Sequence, residues 1–313
     1  GEQPWSPPWH HVFFIWVDPS DPATSREGAW PLPPRYQRNV QHWEERYQLS
    51  AAIYGGEDCL RAVAAVDEDG DANCAGLLTV YSQLIEQGNW IKMVDVARLA
   101  IIWLKGGTYL DTDMEVGPQT FSTSELSDGA CWLVRDPEGV IQNHFIRAAP
   151  RHPFVRHLLH VMVCNTLEEP HVVQATGPCA YAAAFLNVFG PEQSQRPPDW
   201  EGSEDIQARK EASAQAGGID LFSHEQVQLL ADRLRDRLTE CGYEDPTSEG
   251  AKRSFHEDPK ATVRIYPPWA FYVHHWREHA SAAEGRSRDR CYAIHTWDTT
   301  WARGLSRCGG YDE

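Results

Sequence analysis

Apolar and polar positions along the chain alternate between two periods, and their order predicts a sheet interleaved with helices. His11–Val17 (HVFFIWV) is short, apolar and rich in strand formers, and Asp18-Pro19 ends it. Tyr36–Tyr47 reads as a polar-faced helix, Leu49–Tyr54 as a second strand, and Glu57–Ala65 and Leu77–Gln87 as further helices. Ile91, Val94, Ala97, Leu99, Ile101, Ile102 and Leu104 then form a run of helical length that is apolar nearly all round, the mark of a helix buried against a sheet. Gly106-Gly107 ends it, since glycine takes the left-handed conformation of a helix C-terminus without steric cost. Thr108-Tyr109-Leu110 is a strand that runs straight into Asp111-Thr112-Asp113.

Later segments continue the alternation. Strands are expected at Ala130–Val134 and Val140–Ala148, the second interrupted by Gln142, Asn143 and His144, and helices at Pro153–Asn165 and Gly177–Val188. This is the pattern of an α/β fold with a mainly parallel sheet. Pro191–Gly218 shifts to Gln, Ser, Glu, Pro and Gly and reads as a loop insertion. Ser223–Cys241 is an amphipathic helix with Leu229, Leu230, Leu234 and Leu238 as its apolar stripe; strands at Ala261–Tyr266 and Tyr292–His295 follow.

Composition narrows the function classes. A chain of 313 residues with 42% hydrophobic and 23% charged positions has the values of a globular domain. Its net charge of −17 argues against a nucleic-acid or anionic-membrane binder, because Lys and Arg carry those interactions. Thirteen Trp and eleven Tyr suit a protein that stacks flat ligands or sugars. The eight Cys include no CxxC pair, which disfavours a zinc site and leaves disulfides and buried thiols as equal readings. No apolar run reaches the roughly 20 residues of a bilayer span. The opening GEQPWSPPW lacks Met and a signal peptide, and it reads as a trimmed start that once followed an anchor.

Chemistry concentrates in the middle of the chain. Two carboxylates about 4 Å apart repel by roughly 4 kcal/mol at an effective dielectric of 20, so Asp111 and Asp113 call for a divalent cation or basic neighbours. A bare D-x-D means little, since Asp67, Asp69 and Asp71 in DEDGDAN form two more. That segment resembles the front of an EF-hand but has its glycine at the fourth place and no Glu at the twelfth, so it reads as a solvated acidic turn. Context distinguishes Asp111 and Asp113. Asp95 and Arg98 are three apart on one face of the preceding helix, either as an ion pair within the helix or facing a polar cavity.

The stretch VDVARLAIIWLKGGTYLDTDMEV resembles glycosyltransferases with a DXD sugar-binding region, whose habit is S-D-x-x-R, about seven residues, then G-G-x-Y-L-D-x-D. The group includes initiating α-1,6-mannosyltransferases of yeast and α-1,4-galactosyl- and α-1,4-N-acetylglucosaminyltransferases, and more distantly the clostridial glucosylating toxins. HVFFIW, PLPPRYQRNVQHW, TGP and YAIHTWDTTW resemble further segments of that family, so about two-thirds of the chain is covered. The resemblance implies a GT-A fold in one domain, a nucleotide-sugar donor (UDP before GDP), Mn²⁺ or Mg²⁺, and retention of anomeric configuration. It implies Asp113 as direct metal ligand, Asp111 on the metal through water or on the donor's ribose, and Asp95 and Arg98 on the donor sugar and diphosphate. Trp16 and Tyr109 resemble nucleoside contacts, Thr299, Thr300 and Trp301 a closing loop on the phosphates, and Asn143 and Gln142 the polar face beside the sugar. His295 is the third metal ligand or a core histidine; mannosyltransferase-like members carry two adjacent His, whereas His295 precedes Thr296.

With no covalent nucleophile in view, front-face displacement assisted by the leaving phosphate is expected. The acceptor is expected to be a glycan or glycoconjugate, bound near the insertion at about 191–260, and the location a Golgi or secretory lumen. Alternatives are a protein-modifying toxin-type glucosyltransferase acting as a cytoplasmic or secreted effector, a nucleotide-sugar or glycan-binding module without turnover, and a phosphatase with D-x-D after its first core strand and a later Lys.

Overall fold

The computed structural model describes residues 11–17, 32–48, 50–121, 129–135, 140–194, 224–244, 248, 261–266, 271–273 and 293–295. Its centre is a six-stranded sheet in the order β2-β1-β3-β6-β5-β7, formed by β1 (His11–Ile15), β2 (Ser50–Tyr54), β3 (Gly107–Leu110), β5 (Cys131–Arg135), β6 (Ile141–Ala148) and β7 (Val263–Tyr266). β1 pairs in parallel with β2 and β3, and β5 with β7, while β6 runs against both of its neighbours. The expected α/β class with a mixed, mainly parallel sheet is what the chain forms. A second sheet, in the order β4-β9-β8, joins β4 (Met114–Val116), β8 (Phe271–Val273) and β9 (Ala293–His295). Of these, β4 and β8 have no counterpart in the sequence pattern, because three residues carry too short a period to read.

Strand alternation divides the core between the two faces of the large sheet. Phe13 and Ile15 of β1 point to one side with α2 (Gly56–Asp67), α3 (Leu77–Glu86), α4 (Trp90–Lys105), α5 (Pro153–Asn165) and α7 (Pro178–Ser194). Val12 and Phe14 point to the other, where they meet α1 (Pro34–Tyr47), Phe121 and Trp132. In α1, Tyr36, Asn39, Val40 and Trp43 recur at helical spacing and are the buried face. Proline at its first turn suits that position, where a missing N–H leaves no bond unmade.

The central helix α4 is buried at every position from Lys92 to Trp103. It ends where the Gly106 N–H donates to the Ile102 carbonyl at 2.8 Å and the chain turns through positive φ at Gly106 (66°) and Gly107 (105°). At Gly107 a Cβ would stand 2.5 Å from the His11 carbonyl oxygen, so glycine also allows β3 to lie against β1.

The helix predicted over Ser223–Cys241 is α8 (His224–Glu240). Its buried residues are Val227, Leu230, Ala231, Leu234 and Leu238, whereas Leu229 is 50% exposed, so the predicted stripe is corrected by one position. The α8 helix packs on α5 and α7, with the Asn187 amide donating to the Ala231 carbonyl at 3.0 Å. Of the predicted loop at Pro191–Gly218, the residues to Ser194 form a short helical turn past a break at Gly190 (φ 76°), and the rest lies outside the described residues. Val172–Gly190, spanning α6 (Val172–Ala175) and α7, is long and apolar enough to cross a membrane, which the sequence reading did not register; it is 72% buried within the protein and serves as core.

The acidic turn is tied into the fold. Asp67 accepts from the Gly76 and Leu78 N–H groups at the start of α3, Asp69 accepts from the Trp103 indole, and Arg151 pairs with Asp69 and Asp71. These partners engage at least one oxygen of each of the three carboxylates.

Two histidines on α5, His157 buried and His160 half-buried, make stability depend on pH. Burial pulls His157 down to about 3, helped by neighbouring His160 and Arg156, and pulls His160 down to about 4 against its contact with the Ala72 carbonyl. Between pH 6.5 and these values the unfolded chain binds protons that the folded chain refuses. Stability is therefore expected to fall on acidification through that window, by roughly 1.4 kcal/mol per pH unit for each histidine. Melting curves from pH 7 to pH 4 measure it, and His157→Gln should flatten the slope.

Candidate active site

The Asp111–Asp113 turn sits at the carboxyl end of β3. Val12 and Phe13 of β1 pair with Thr108 and Tyr109, so the strand end that delivers Asp111 lies beside the end that delivers Trp16. This is the edge at which open α/β sheets bind ligands. The β3–β6 ladder continues one step, with the Asp111 N–H donating to the His144 carbonyl at 3.0 Å. The chain then turns, the Met114 N–H donating to the Asp111 carbonyl at 3.0 Å, and enters β4. Helix α1 holds the turn from below: the Asn39 amide donates to the Thr112 carbonyl at 2.9 Å and the Trp43 indole to the Met114 carbonyl at 3.0 Å.

Strand β4 brings the third group. Met114 pairs with His295 in the β4–β9 ladder, which places His295 Nε2 3.2 Å from Asp113 Oδ1. Oxygen atoms of Asp111 and Asp113 and a ring nitrogen of His295 all lie within 4.8 Å of one another. Asp113 and His295 are buried, and the Asp111 side chain is 28% exposed. Burial draws the His295 pKa down, but the Asp113 carboxylate, its hydrogen bond and Asp111 outweigh that and hold the imidazole above its usual range. Burial, with Asp113 close by, pushes the Asp111 carboxyl up despite Arg98. A proton on His295 is thus favoured by both carboxylates. Two oxygens and an imidazole nitrogen suit a divalent cation such as Mn²⁺, which would take over the role of that proton, so the residues present fit a metal centre.

The second half of the site is the pair on α4. Arg98 Nη2 lies 2.7 Å from Asp95 Oδ1, and both side chains are almost wholly buried. The pair is therefore far from an exposed intrahelical bridge. Arg98 also donates to the Asn143 carbonyl, lies 3.7 Å from Asp111 Oδ1, and covers the Tyr109 ring at 4.3 Å. Asp95 accepts from the Asn143 amide at 3.0 Å and from the Thr176 hydroxyl at 2.6 Å. Burial raises the Asp95 pKa to about 6, against the opposing pull of Arg98 and the Thr176 hydrogen bond. Between the ordinary carboxylate range and pH 6, its protonation favours the folded state, opposite in sign to the α5 histidines.

Of the residues predicted from sequence, Asp95, Arg98, Tyr109, Asp111 and Asn143 form one contact network, and Asp113 and His295 join it through Asp111. Tyr109 is 2% exposed and donates its hydroxyl to Asp111 Oδ1 at 2.6 Å, so it positions that carboxylate. Trp16 is half-buried at the same sheet edge, its ring 5.5 Å from that of Tyr36. Gln142 is buried on β6 opposite Val134, at a bulge. Thr299, Thr300 and Trp301 lie outside the described residues. Sequence reasoning gave no role to Thr176, although it stands in the TGP segment, or to Asn39, Trp43 and His144, whose ring stacks on His295 at 4.3 Å.

The phosphatase arrangement does not fit. The D-x-D follows β3, which is third in chain order, and not the first strand of the core.

Comparison with known proteins agrees with this geometry. Residues 63–125 match the family model described as "Glycosyltransferase sugar-binding region containing DXD motif". No curated protein matches the chain. Among solved structures it is similar to the "PaToxG Glycosyltransferase" at a TM-score of 0.44 and 14% identity, covering 74% of this chain and 87% of that one. It is also similar to the ligand-free glycosyltransferase domain from the YGT toxin (TM-score 0.33, 10% identity, 82% and 80% covered). A third is mouse xyloside xylosyltransferase 1 in its apo form (TM-score 0.28, 13% identity, 93% and 98% covered). Scores this low carry no argument; the family match does. The matched segment 63–125 holds Asp95, Arg98, Asp111 and Asp113, so the site lies in a stretch similar to glycosyltransferase sugar-binding regions of the DXD type.

Proposed function

We propose that the chain transfers a hexose from a nucleotide sugar, UDP-linked before GDP-linked, to a glycan or glycoconjugate, with Mn²⁺ or Mg²⁺ held by Asp111, Asp113 and His295. The observation that carries this reading is the convergence of those three groups beside the buried Asp95–Arg98 pair, inside the matched sugar-binding region. A cation bound there neutralises the charge of a diphosphate leaving group.

The chain's own residues supply the rest. Arg98, fixed by Asp95, Asn143 and the Tyr109 ring, keeps a permanent positive charge next to the D-x-D turn, and its buried Nε has no hydrogen-bond partner. That charge suits a phosphate or a sugar hydroxyl. Asp95, already engaged by Arg98, Asn143 and Thr176, serves mainly to orient the first two. Asn143 and Asp111 keep some exposed surface, and they are the members of the network that a sugar reaches. Trp16 at the neighbouring strand end suits stacking on the base, and Thr299, Thr300 and Trp301 are assigned to the phosphates on family resemblance alone.

Retention by front-face displacement, with the leaving phosphate taking the acceptor's proton, is supported by the engagement of both carboxylates nearest Arg98. Asp95 is held by three donors and Asp111 by Tyr109 and Arg98, which leaves neither free as a nucleophile. We read one catalytic domain, with the acceptor near 191–260 and a Golgi or secretory lumen as the setting.

Slow donor hydrolysis without acceptor tests the reading. UDP- and GDP-sugars are incubated with the protein and Mn²⁺, and released nucleoside diphosphate and the anomer of the freed sugar are followed. Metal-dependent release of the retained anomer from one donor class is expected, and the same donor should raise Tm. No hydrolysis and no thermal shift with any donor would refute it.

A further inference from the structure

Six cysteines lie among the described residues. Four of them, Cys59, Cys74, Cys131 and Cys179, are buried to 1% exposure or less, as core thiols are. The other two differ. Cys164, near the end of α5, is 5% exposed, and Cys241, just past the end of α8, is exposed, yet the two thiols are near enough to influence each other's ionisation.

Two independent contacts hold them in register. One turn before Cys164, the His160 ring stacks on Tyr243, two residues past Cys241, with centroids 4.0 Å apart and planes at 12°. One turn before Cys241, Arg237 hydrogen bonds the side chain of Asn165, the residue after Cys164. The chain past α8 is itself fixed, since the Cys241 N–H donates to the Arg237 carbonyl and the Tyr243 N–H to the Leu238 carbonyl, each at 2.9 Å. The cysteine pair is thus bracketed on both sides by packed partners, one thiol open to solvent and the other sheltered behind it.

We propose that Cys164 and Cys241 form a disulfide when the protein meets a glutathione-type disulfide oxidant, making a redox-responsive staple between α5 and the end of α8. The exposed Cys241 reacts first. Its thiolate attacks one sulfur of oxidised glutathione, the glutathione S–S bond breaks, and one glutathione leaves as a thiolate that takes up a proton. Cys164 then gives up its proton and attacks the Cys241 sulfur, which releases the second glutathione. Two protein thiols are oxidised, and one glutathione disulfide is reduced to two thiols. Burial pushes the Cys164 thiol above its usual range, so it is a poor first attacker and acts as the resolving partner. The closed loop contains all of α6 and α7, and with them Thr176, the hydroxyl that holds Asp95.

The test uses the folded full chain, incubated with oxidised glutathione, alkylated and mapped by peptide mass spectrometry. A cross-linked peptide containing Cys164 and Cys241 is expected, with two fewer alkylatable thiols. Tm should rise by about 4 °C or more and return on adding a thiol reductant. Cys164→Ser should stop at a stable glutathione adduct on Cys241. If that variant does not fold, Cys241→Ser, altered at an exposed position, should lose both the cross-link and the rise in Tm. The proposal is overturned if wild-type Cys241 stops at the mixed disulfide, if either cysteine pairs with Cys74 or any other, or if both remain alkylatable.

Discussion

Replacing Asp113 with asparagine is expected to lower metal-dependent donor hydrolysis by on the order of 10³-fold, while the protein stays folded. The side chain keeps its size and one oxygen but loses the charge that, with Asp111, faces the imidazole 3.2 Å away. A divalent cation balanced by one carboxylate and one imidazole loses several kcal/mol of binding, and each 1.4 kcal/mol is about tenfold in rate or affinity. Stability should change much less, because Asp113→Asn also relieves the repulsion between two carboxylates. Hydrolysis rates at saturating Mn²⁺, taken beside melting curves, separate lost chemistry from lost fold. Unaltered hydrolysis in a folded variant would remove Asp113 from the centre.

The largest loss of stability is expected for Arg98→Met. Arg98 is the shared partner of Asp95 and Asp111, and its guanidinium also caps the Asn143 carbonyl and lies over Tyr109. Truncation leaves the Asp95 carboxylate, 2% exposed, hydrogen-bonded by the neutral Asn143 and Thr176 donors alone, with Lys92 the remaining positive charge near it. Breaking a buried pair from one side costs about 3–5 kcal/mol, whereas replacing both partners is far milder. Denaturant unfolding of Arg98→Met, Asp95→Asn and the double variant should therefore show the double variant more stable than Arg98→Met alone. If Arg98→Met lies within about 1 kcal/mol of wild type, the pair is solvated and its place as the buried second half of the site is wrong.

The parts of this site that were legible in the sequence are those set by local rules. The all-round apolar α4, the Gly106-Gly107 stop and the short β3 put Asp95, Arg98, Asp111 and Asp113 on consecutive elements, and spacing alone put Asp95 and Arg98 on one face. The contacts that complete the site join distant parts of the chain. Thr176 meets Asp95 across 81 positions and Asn39 meets Thr112 across 73, and no period in the sequence registers either. His295 was marked by resemblance, but its approach to Asp113 depends on the β4–β9 register, and β4 is only three residues long. Tyr109 shows a different limit. Resemblance marked it as a nucleoside contact, but nothing in the local pattern registers its burial beneath Arg98 or its bond to Asp111. Leu229 was misread because Leu at both 229 and 230 left the angle of the α8 stripe ambiguous, and packing on α7 selected Leu230.

The central claim is that Asp111, Asp113 and His295 make one divalent-cation site. Calorimetric titration of the folded protein with Mn²⁺ tests it most directly, run on wild type, Asp113→Asn and His295→Ala without nucleotide sugar. Wild type should bind a single ion with release of protons, as the imidazole gives up the one it shares with Asp113, and both variants should bind at least about tenfold more weakly. Equal Mn²⁺ affinity in all three proteins would contradict the claim.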